Sequence, residues 1–200
     1  MTISNSVTTI ERFAFYNIPF THLISNSSFF EVYDEVLYTT TGTITAIYSA
    51  KGYSGTLTLK SNVVAIGTNC FYNNTLRTGT LTIPNTVTTI YRAAFADCTG
   101  LISTLTIPSS VTTIEQSAFH GCNKLSGIGT INGSPTMGLL VFFGDALISE
   151  WHILSSVAPA AQSNTWGAYA KPLHVKIGAT GYNVAPWTDP TIFSSIIYDL

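Results

Sequence analysis

Charged side chains are scarce in this sequence. Lysine, arginine, aspartate and glutamate together make up 9% of the 200 residues, and the formal net charge at pH 7 is -2. Proteins that bind nucleic acid or an anionic membrane surface carry an excess or a cluster of lysine and arginine. The eight lysine and arginine residues are neither in excess nor clustered. The composition therefore argues against both classes of partner.

Cysteine is also rare, and long apolar runs are missing. Three cysteines are too few, and odd in number, for a disulfide framework. The longest apolar run, at positions 139–143, is far too short to cross a bilayer. The start of the chain has neither the basic nor the apolar region of a secretory signal. We expect a segment of a longer, exported protein; a short cytoplasmic protein is the alternative.

Residue patterns typical of catalytic and metal centres are missing as well. The sequence has no Gly-x-Ser-x-Gly motif and no glycine-rich phosphate loop. Asp145 and Glu150 have no carboxylate partner that the sequence places on the same face. The histidines do not pair with one another, with cysteine or with aspartate at zinc spacing; they are His22, His120, His152 and His174. The sequence therefore predicts no catalytic residue, no cofactor and no metal site.

What the sequence has instead is an internal repeat. The segment Thr80-Leu81-Thr82-Ile83-Pro84 returns as Thr104-Leu105-Thr106-Ile107-Pro108, a period of 24 residues from position 80 to position 104. Val87-Thr88-Thr89-Ile90, Ala94-Phe95 and Cys98 return at the same period as Val111-Thr112-Thr113-Ile114, Ala118-Phe119 and Cys122. A period of about 20–50 residues is the signature of a solenoid, because one such unit can bury its apolar side only against neighbouring copies.

The same period continues on both sides of this pair. One period earlier stand Leu57, Leu59, Val63, Ile66 and Phe71, and one period later Ile131 and Phe143 keep two of the positions. The N-terminal Ile3, Val7, Ile10 and Phe15 have the same internal spacing as the repeat. A longer unit must therefore lie between this first turn and the regular repeats.

These repeats resemble the BspA-like, or Treponema pallidum-type, leucine-rich repeats of Bacteroides-like bacteria. The resemblance rests on the order Leu-x-Ile-Pro, Val-x-x-Ile, Ala-Phe, Cys and Leu in the two full copies. It implies a right-handed leucine-rich repeat solenoid of about six to seven turns, mostly β, with short parallel strands and little helix. One β-hairpin insertion and a C-terminal cap complete the expected fold. The resemblance also implies a non-catalytic module rather than an enzyme.

The chain is predicted to form a single domain, residues 1–200. Its parts are a first turn (1–19), a long hairpin-bearing unit (20–54), three regular 24-residue repeats (55–127), degenerate turns (128–172) and a C-terminal cap (173–200). The hairpin is expected from positions 36–38 and 44–48, and a short helical turn near positions 93–95. In the first turn, Phe13, Ala14 and Phe15 are expected to face partly inward.

Cys98 and Cys122 occupy the same position in adjacent turns. They would lie about 5 Å apart if the turns stack at strand spacing. A disulfide between them is geometrically conceivable. Two free, buried thiols are the simpler interpretation, because free cysteine favours the core.

Threonines of the regular repeats are expected to form two ranks on the outer face of stacked strands. The ranks are Thr56, Thr80 and Thr104, and Thr58, Thr82 and Thr106. Threonine suits the exposed face of any strand, so these ranks have a purely structural explanation. The functional alternative is a ligand-binding surface, since solenoids bind across an extended concave sheet. Regular Thr-x-Thr ranks also resemble ice-binding surfaces.

The function implied by the resemblance is binding or adhesion at a bacterial cell surface or after secretion. The partner would be a host or microbial protein, bound by a monomer. A carbohydrate-binding accessory module and a structural spacer are the competing interpretations. Large aromatic residues of the C-terminal third either stack on sugar rings or close the end of the solenoid; they are Trp151, Trp166, Tyr169, Tyr182 and Trp187.

Overall fold

The structure is a computed structural model that describes residues 1–11, 14–15, 18–162, 164–167 and 169–200. It is a leucine-rich repeat solenoid of about nine turns with parallel strands, and the described residues include no helix. The six to seven turns expected from the sequence are too few. Residues 128–200 have a loose apolar pattern, yet they still form turns that pair strand to strand.

The strands of the described residues are short. They are β1 (Thr2–Ile3), β2 (Ile24–Ser25), β3 (Phe30–Tyr33), β4 (Val36–Thr39), β5 (Thr45–Ser49), β6 (Ala65–Ile66), β7 (Thr89–Ile90), β8 (Thr106–Ile107), β9 (Thr113–Ile114), β10 (Gly127–Ile131), β11 (Thr136–Met137), β12 (Ile148–Ile153), β13 (Lys171–Val175) and β14 (Phe193–Tyr198). Such short strands fit a chain that must turn several times within each repeat of 24 residues.

Two sheets contain most of these strands. A seven-stranded sheet has the order β11-β9-β7-β6-β5-β4-β3, and a five-stranded sheet has the order β14-β13-β12-β10-β8. The Val-x-x-Ile segments supply the centre of the first sheet, where Ile66, Ile90 and Ile114 pair in parallel at the period of the repeat. All three isoleucines are fully buried, so the repeat in the sequence and the stacking of the turns coincide.

The Ala-Phe segments form a further ladder of hydrogen bonds between turns, outside the strands. The amides of Phe71 and Phe95 donate to the carbonyls of Ala94 and Ala118 in the next turn, each over 2.8 Å. Ala93 has a φ of +51°, a left-handed conformation that a helix does not contain. The helical turn expected at positions 93–95 is therefore wrong.

A column of stacked phenylalanine rings runs through the core beside this ladder. Ring centroids lie 4.9 Å apart for Phe71 and Phe95, and 5.2 Å apart for Phe95 and Phe119. The next ring is Phe142, 5.7 Å from Phe119, and not the expected Phe143, which is 42% exposed. The turn that follows Phe119 is one residue shorter than the period, as the pairing of β9 with β11 shows.

The hairpin insertion has three strands instead of two. β4 and β5 pair antiparallel as predicted, and β3 adds to β4 on the other side. Asp34 and Glu35 form the two-residue turn between β3 and β4, and both have positive φ, 48° and 56°. Such turns favour Asn-Gly, Asp-Gly or Gly-Gly; Asp34 fits the first position but Glu35 does not fit the second, so the turn signal for β3 is weak.

Aromatic side chains fill the C-terminal end of the core. Trp151, Trp166, Tyr182 and Trp187 are all 4% exposed or less, whereas Tyr169 is 38% exposed. The four buried rings contact one another. The ring centroid of Trp166 also lies 4.9 Å from that of Phe142, at the end of the phenylalanine column. Four of the five aromatic residues therefore close the solenoid and are not available to stack on a sugar.

At the N-terminal end, Phe15 packs against Tyr48 with ring centroids 5.2 Å apart. Ala14, which was expected to face inward, is exposed. Phe13 lies outside the described residues. The inward packing of the first turn therefore rests on Phe15, together with Ile3, which is 5% exposed.

The three cysteines are free and buried. The thiol of Cys98 donates to the carbonyl of Phe71 and that of Cys122 to the carbonyl of Phe95, each over 2.9 Å. These bonds give the thiols a structural use, and the interpretation as two free core cysteines is confirmed.

Asp145 takes the position of Cys122 in the following turn. It is 3% exposed, and neither of its carboxyl oxygens has a hydrogen-bond partner among the described residues. Burial raises the pKa of the Asp145 carboxyl well above its ordinary value of 3.8, because a charge is poorly solvated inside the core. The chain therefore carries an acid at a position where earlier turns have Asn74, Cys98 and Cys122.

We expect the free energy of unfolding to fall as the pH rises from the ordinary value of 3.8 through the raised pKa of Asp145. In that window the native state keeps a proton that the unfolded state has lost, so a rise in pH favours unfolding. Asp145→Asn should weaken this dependence and raise stability at pH 7, because folding then no longer keeps a carboxyl protonated at a pH where the unfolded chain has lost the proton. Urea denaturation at a series of pH values measures both effects.

The matched control for this experiment is Asp97→Asn. The Asp97 side chain is 44% exposed, so its replacement makes the same chemical change at a carboxyl that is not buried. If Asp145→Asn has the same pH dependence as the parent protein, the buried carboxyl is not its source.

Candidate binding surface

The six threonines of the predicted ranks are all exposed: Thr56, Thr58, Thr80, Thr82, Thr104 and Thr106. The aliphatic residues that alternate with them are buried: Leu57, Leu59, Leu81, Ile83, Leu105 and Ile107. Extended backbone places successive side chains on opposite faces. The predicted alternation of inward aliphatic and outward hydroxyl side chains is therefore present in all three repeats.

Four of these threonines line one shallow groove with a volume of about 320 Å³. They are Thr80, Thr82, Thr104 and Thr106, and Asn85 and Asn132 line the groove with them. We call this surface the threonine groove. Its polar groups are hydroxyls and amides, which can donate and accept hydrogen bonds without carrying charge.

Thr56 and Thr58 do not line the threonine groove. The backbone of Thr56 pairs in parallel with Thr78, as an isolated β-bridge, and not with Thr80, the residue one period later. The amide of Thr58 donates to the Asp34 carboxylate over 2.8 Å. The three-stranded insertion thus contacts the first regular repeat through Asp34. The groove therefore contains four of the six predicted threonines.

The five-stranded sheet continues this surface toward the C-terminus. One residue of each strand lies in register across it, in the order Thr106, Thr130, His152, His174 and Ile197. We call this set the outer row. The neighbouring residues Ile131, Trp151, Ile153, Leu173 and Val175 point into the core and are buried, so the outer row faces away from it.

Two histidines of the outer row meet two carboxylates. The Oε1 atom of Glu150 lies 2.9 Å from Nε2 of His152, and its Oε2 atom lies 3.6 Å from Nε2 of His174. Nδ1 of His174 lies 2.9 Å from the nearer oxygen of Asp199. We call these four residues the histidine cluster. The two imidazole rings are 4.8 Å apart between centroids, which is the spacing of neighbouring strands.

Sequence reasoning missed the histidine cluster because its members are far apart in the chain. His152 and His174 belong to different turns, and only the register between β12 and β13 places them opposite each other. A usable signal was nevertheless present. Each histidine stands between two apolar residues, Trp151 and Ile153 or Leu173 and Val175, which is the pattern of an outward residue on a strand.

A second concavity lies between the N-terminal turn and β5 of the seven-stranded sheet. It has a volume of about 340 Å³, and its lining combines Ile10, Phe15 and Tyr48 with Glu11 and Lys51. This size is at the lower end of small-molecule pockets, which measure about 300–1,000 Å³. Burial lowers the pKa of the Lys51 ammonium below its ordinary value.

Comparison with family models supports the resemblance seen in the sequence. Residues 1–52 and 48–163 match the model described as the BspA type leucine rich repeat region, in six copies. The chain belongs to the BspA-type leucine-rich repeat family. The family match covers the N-terminal turn, the insertion and the regular repeats, and it ends before β13.

Solved structures show the same fold for this BspA-type chain. The pneumococcal vaccine antigen PcpA matches 100% of the chain with a TM-score of 0.74 and 17% sequence identity. A leucine rich cell surface protein from Faecalibacterium prausnitzii A2-165 matches 76% of it with a TM-score of 0.59 and 22% identity. The chain spans only 55% and 47% of the lengths of these two proteins.

A comparison with curated proteins gave no match for the BspA-type chain. In the part of the chain that the structure describes, no helix has the length and apolar character needed to span a membrane.

Proposed function

We propose that this chain is the binding segment of a cell-surface or secreted bacterial repeat protein, and that it adheres to a protein of a host or microbial surface. The proposed contact surface is the threonine groove together with the outer row. The observation that carries the proposal is that Thr106 belongs both to the threonine groove and to the outer row. The groove and the row therefore form one extended face.

The chemistry of this face supports a protein partner. The threonine and asparagine side chains of the groove offer hydrogen bonds without a charge that must be desolvated. Repeat solenoids characteristically bind across extended surfaces made of equivalent positions in successive turns. The family match and the surface location named for the Faecalibacterium prausnitzii protein favour display outside the cell.

We expect the double variant Thr82→Lys and Thr106→Lys to reduce binding at least about tenfold. Two ammonium groups placed unpaired in an interface cost more than about 1.4 kcal/mol. The measurement is flow cytometry of epithelial cells and of bacteria incubated with the fluorescently labelled chain, before and after protease treatment of the cells. Loss of the signal on protease treatment identifies the partner as a protein.

The matched control is Thr88→Lys with Thr112→Lys. These two threonines are also exposed and also one period apart, but they lie next to β7 and β9 of the seven-stranded sheet. The control variant should bind like the parent chain. Equal binding by both double variants would remove the threonine groove from the proposal.

A carbohydrate partner is the second candidate, and one observation limits it. Tyr169 is the aromatic residue of the C-terminal set that remains at the surface, at 38% exposure. Within this set of five, sugar recognition by stacking would therefore depend on Tyr169. Two results together would identify the partner as a glycan instead of a protein. The first is a glycan-array signal that is lost in Tyr169→Ala, and the second is cell binding that survives protease treatment of the cells.

A further inference from the structure

The histidine cluster brings three donor atoms together at one point of the outer face. Glu150, His152 and His174 each offer one donor atom, and the three atoms all lie within 4.8 Å of one another. Both histidines direct Nε2 at the same carboxylate. This arrangement follows from the sheet, because Glu150 and His152 are two residues apart on β12 and His174 is opposite His152 on β13.

The balance of charge in the cluster favours a cation. Glu150 and Asp199 supply two carboxylates, and within the described residues their ion-pair partners are histidines. With both imidazoles neutral, the cluster carries two negative charges. A single divalent cation would neutralise both carboxylates.

The distances are also close to those of a metal site. Tetrahedral donors about 2.1 Å from a zinc ion are roughly 3.4 Å apart. The separations of 2.9 Å and 3.6 Å between the Glu150 oxygens and the two Nε2 atoms lie on either side of this value. Small side-chain rotations would be sufficient to place all three donors around one ion.

Asp199 adds a feature that is common around metal-bound histidine. A metal-ligating imidazole usually donates its other N–H to a carboxylate, which fixes the tautomer and the orientation of the ring. Nδ1 of His174 lies 2.9 Å and 3.0 Å from the two oxygens of Asp199. This contact would leave Nε2 of His174 unprotonated and directed toward Glu150.

We propose that Glu150, His152 and His174 bind a divalent transition-metal ion, best matched by zinc, and that Asp199 orients the ring of His174. Imidazole and carboxylate donors suit zinc, whereas calcium and magnesium take oxygen ligands. Three protein ligands leave a fourth position of a tetrahedral ion open. The Glu150, His152 and His174 side chains are 29%, 22% and 16% exposed, so the open position faces solvent.

Isothermal titration of the full chain with zinc chloride tests the proposal. We expect saturable binding of one ion per chain, and no binding of magnesium at the same concentrations. His152→Ala and His174→Ala should abolish saturable binding, and Asp199→Asn should weaken it by about 10–100-fold. Thermal unfolding gives a second readout, because an ion that binds only the native state raises its stability.

The matched controls are His22→Ala and His120→Ala. Each of these histidines has one carboxylate near it, Glu35 at 3.0 Å and Asp97 at 4.0 Å, and lies outside the cluster. Both controls should bind zinc like the parent chain. Glu150→Gln, which keeps the size of the side chain, should also lose binding and serves if a histidine variant fails to fold. Absence of saturable binding in the parent chain, or equal affinity in cluster and control variants, would overturn the proposal.

Discussion

Phe119→Ala should lower the free energy of unfolding by about 3–5 kcal/mol. Phe119 is fully buried and lies between Phe95 and Phe142, with ring centroids 5.2 Å and 5.7 Å away. Each neighbouring ring is held in its own turn by backbone hydrogen bonds to the next turn. The neighbours cannot close the gap, so the variant keeps most of the cavity. Urea denaturation followed by tryptophan fluorescence measures the loss.

Phe143→Ala is the matched control, because it removes the same group from a neighbouring turn. Phe143 is 42% exposed and stacks on the ring of His120, with ring centroids 5.7 Å apart. We expect a cost of no more than about 1 kcal/mol. A larger cost for Phe143→Ala than for Phe142→Ala would mean that the column continues through Phe143, as the 24-residue period alone predicts.

Arg77→Ala should destabilise the protein by a similar amount, about 3–5 kcal/mol, because it leaves a partly buried carboxylate without its charged partner. The Arg77 side chain is 1% exposed and lies 2.9 Å from the Asp34 carboxylate. It also donates to the carbonyls of Asp34 and Thr56 and lies against the ring of Tyr53. Arg77→Lys should recover little, since an ammonium cannot make these contacts together.

The comparison for this variant is Lys60→Ala. Lys60 also forms an ion pair with the insertion, through Glu31, but the two side chains are 20% and 38% exposed. Solvent screens such a pair, so we expect a cost of about 0–1 kcal/mol. Denaturation curves of the two variants measured together separate the buried contact from the surface contact. Equal costs would contradict the assignment of Arg77 as the residue that fixes the insertion.

The sequence was sufficient for the parts of the fold in which one turn repeats another. Ile90 and Ile114 are one period apart and pair in register, and the rings of Phe95 and Phe119 stack. Equivalent residues contact one another because the backbones of successive turns pair, so residues one period apart in the sequence lie next to each other in the fold. The outward position of Thr82 and Thr106 follows from the same alternation.

The sequence was insufficient where one turn departs from the next. Arg77 takes the position of Leu101, and its burial depends on Asp34, which belongs to the insertion. The ring of Phe142 replaces the expected Phe143 because a single residue is missing from the preceding turn. A strict period cannot show either change, since the first depends on a partner from the insertion and the second on a turn that is one residue shorter.

The histidine cluster shows the same limit for the candidate site. His152 and His174 are separated by a spacing that matches no metal motif in the linear sequence, and Asp199 comes from a third strand end. Only the order of strands in the sheet brings them together. Sites made from several turns of a solenoid therefore have to be sought by strand register, after the turns have been aligned.

The hydrogen bonds between turns have a consequence for how this chain folds. The amide of Phe95 donates to the carbonyl of Ala118 and that of Phe119 to the carbonyl of Val141, so each of these regular turns closes a loop of nearly the same, modest length. The entropy lost in closing a loop depends on its length. An added regular turn therefore costs about as much entropy to order as the one before it, so the stability of such an array rises turn by turn with its length.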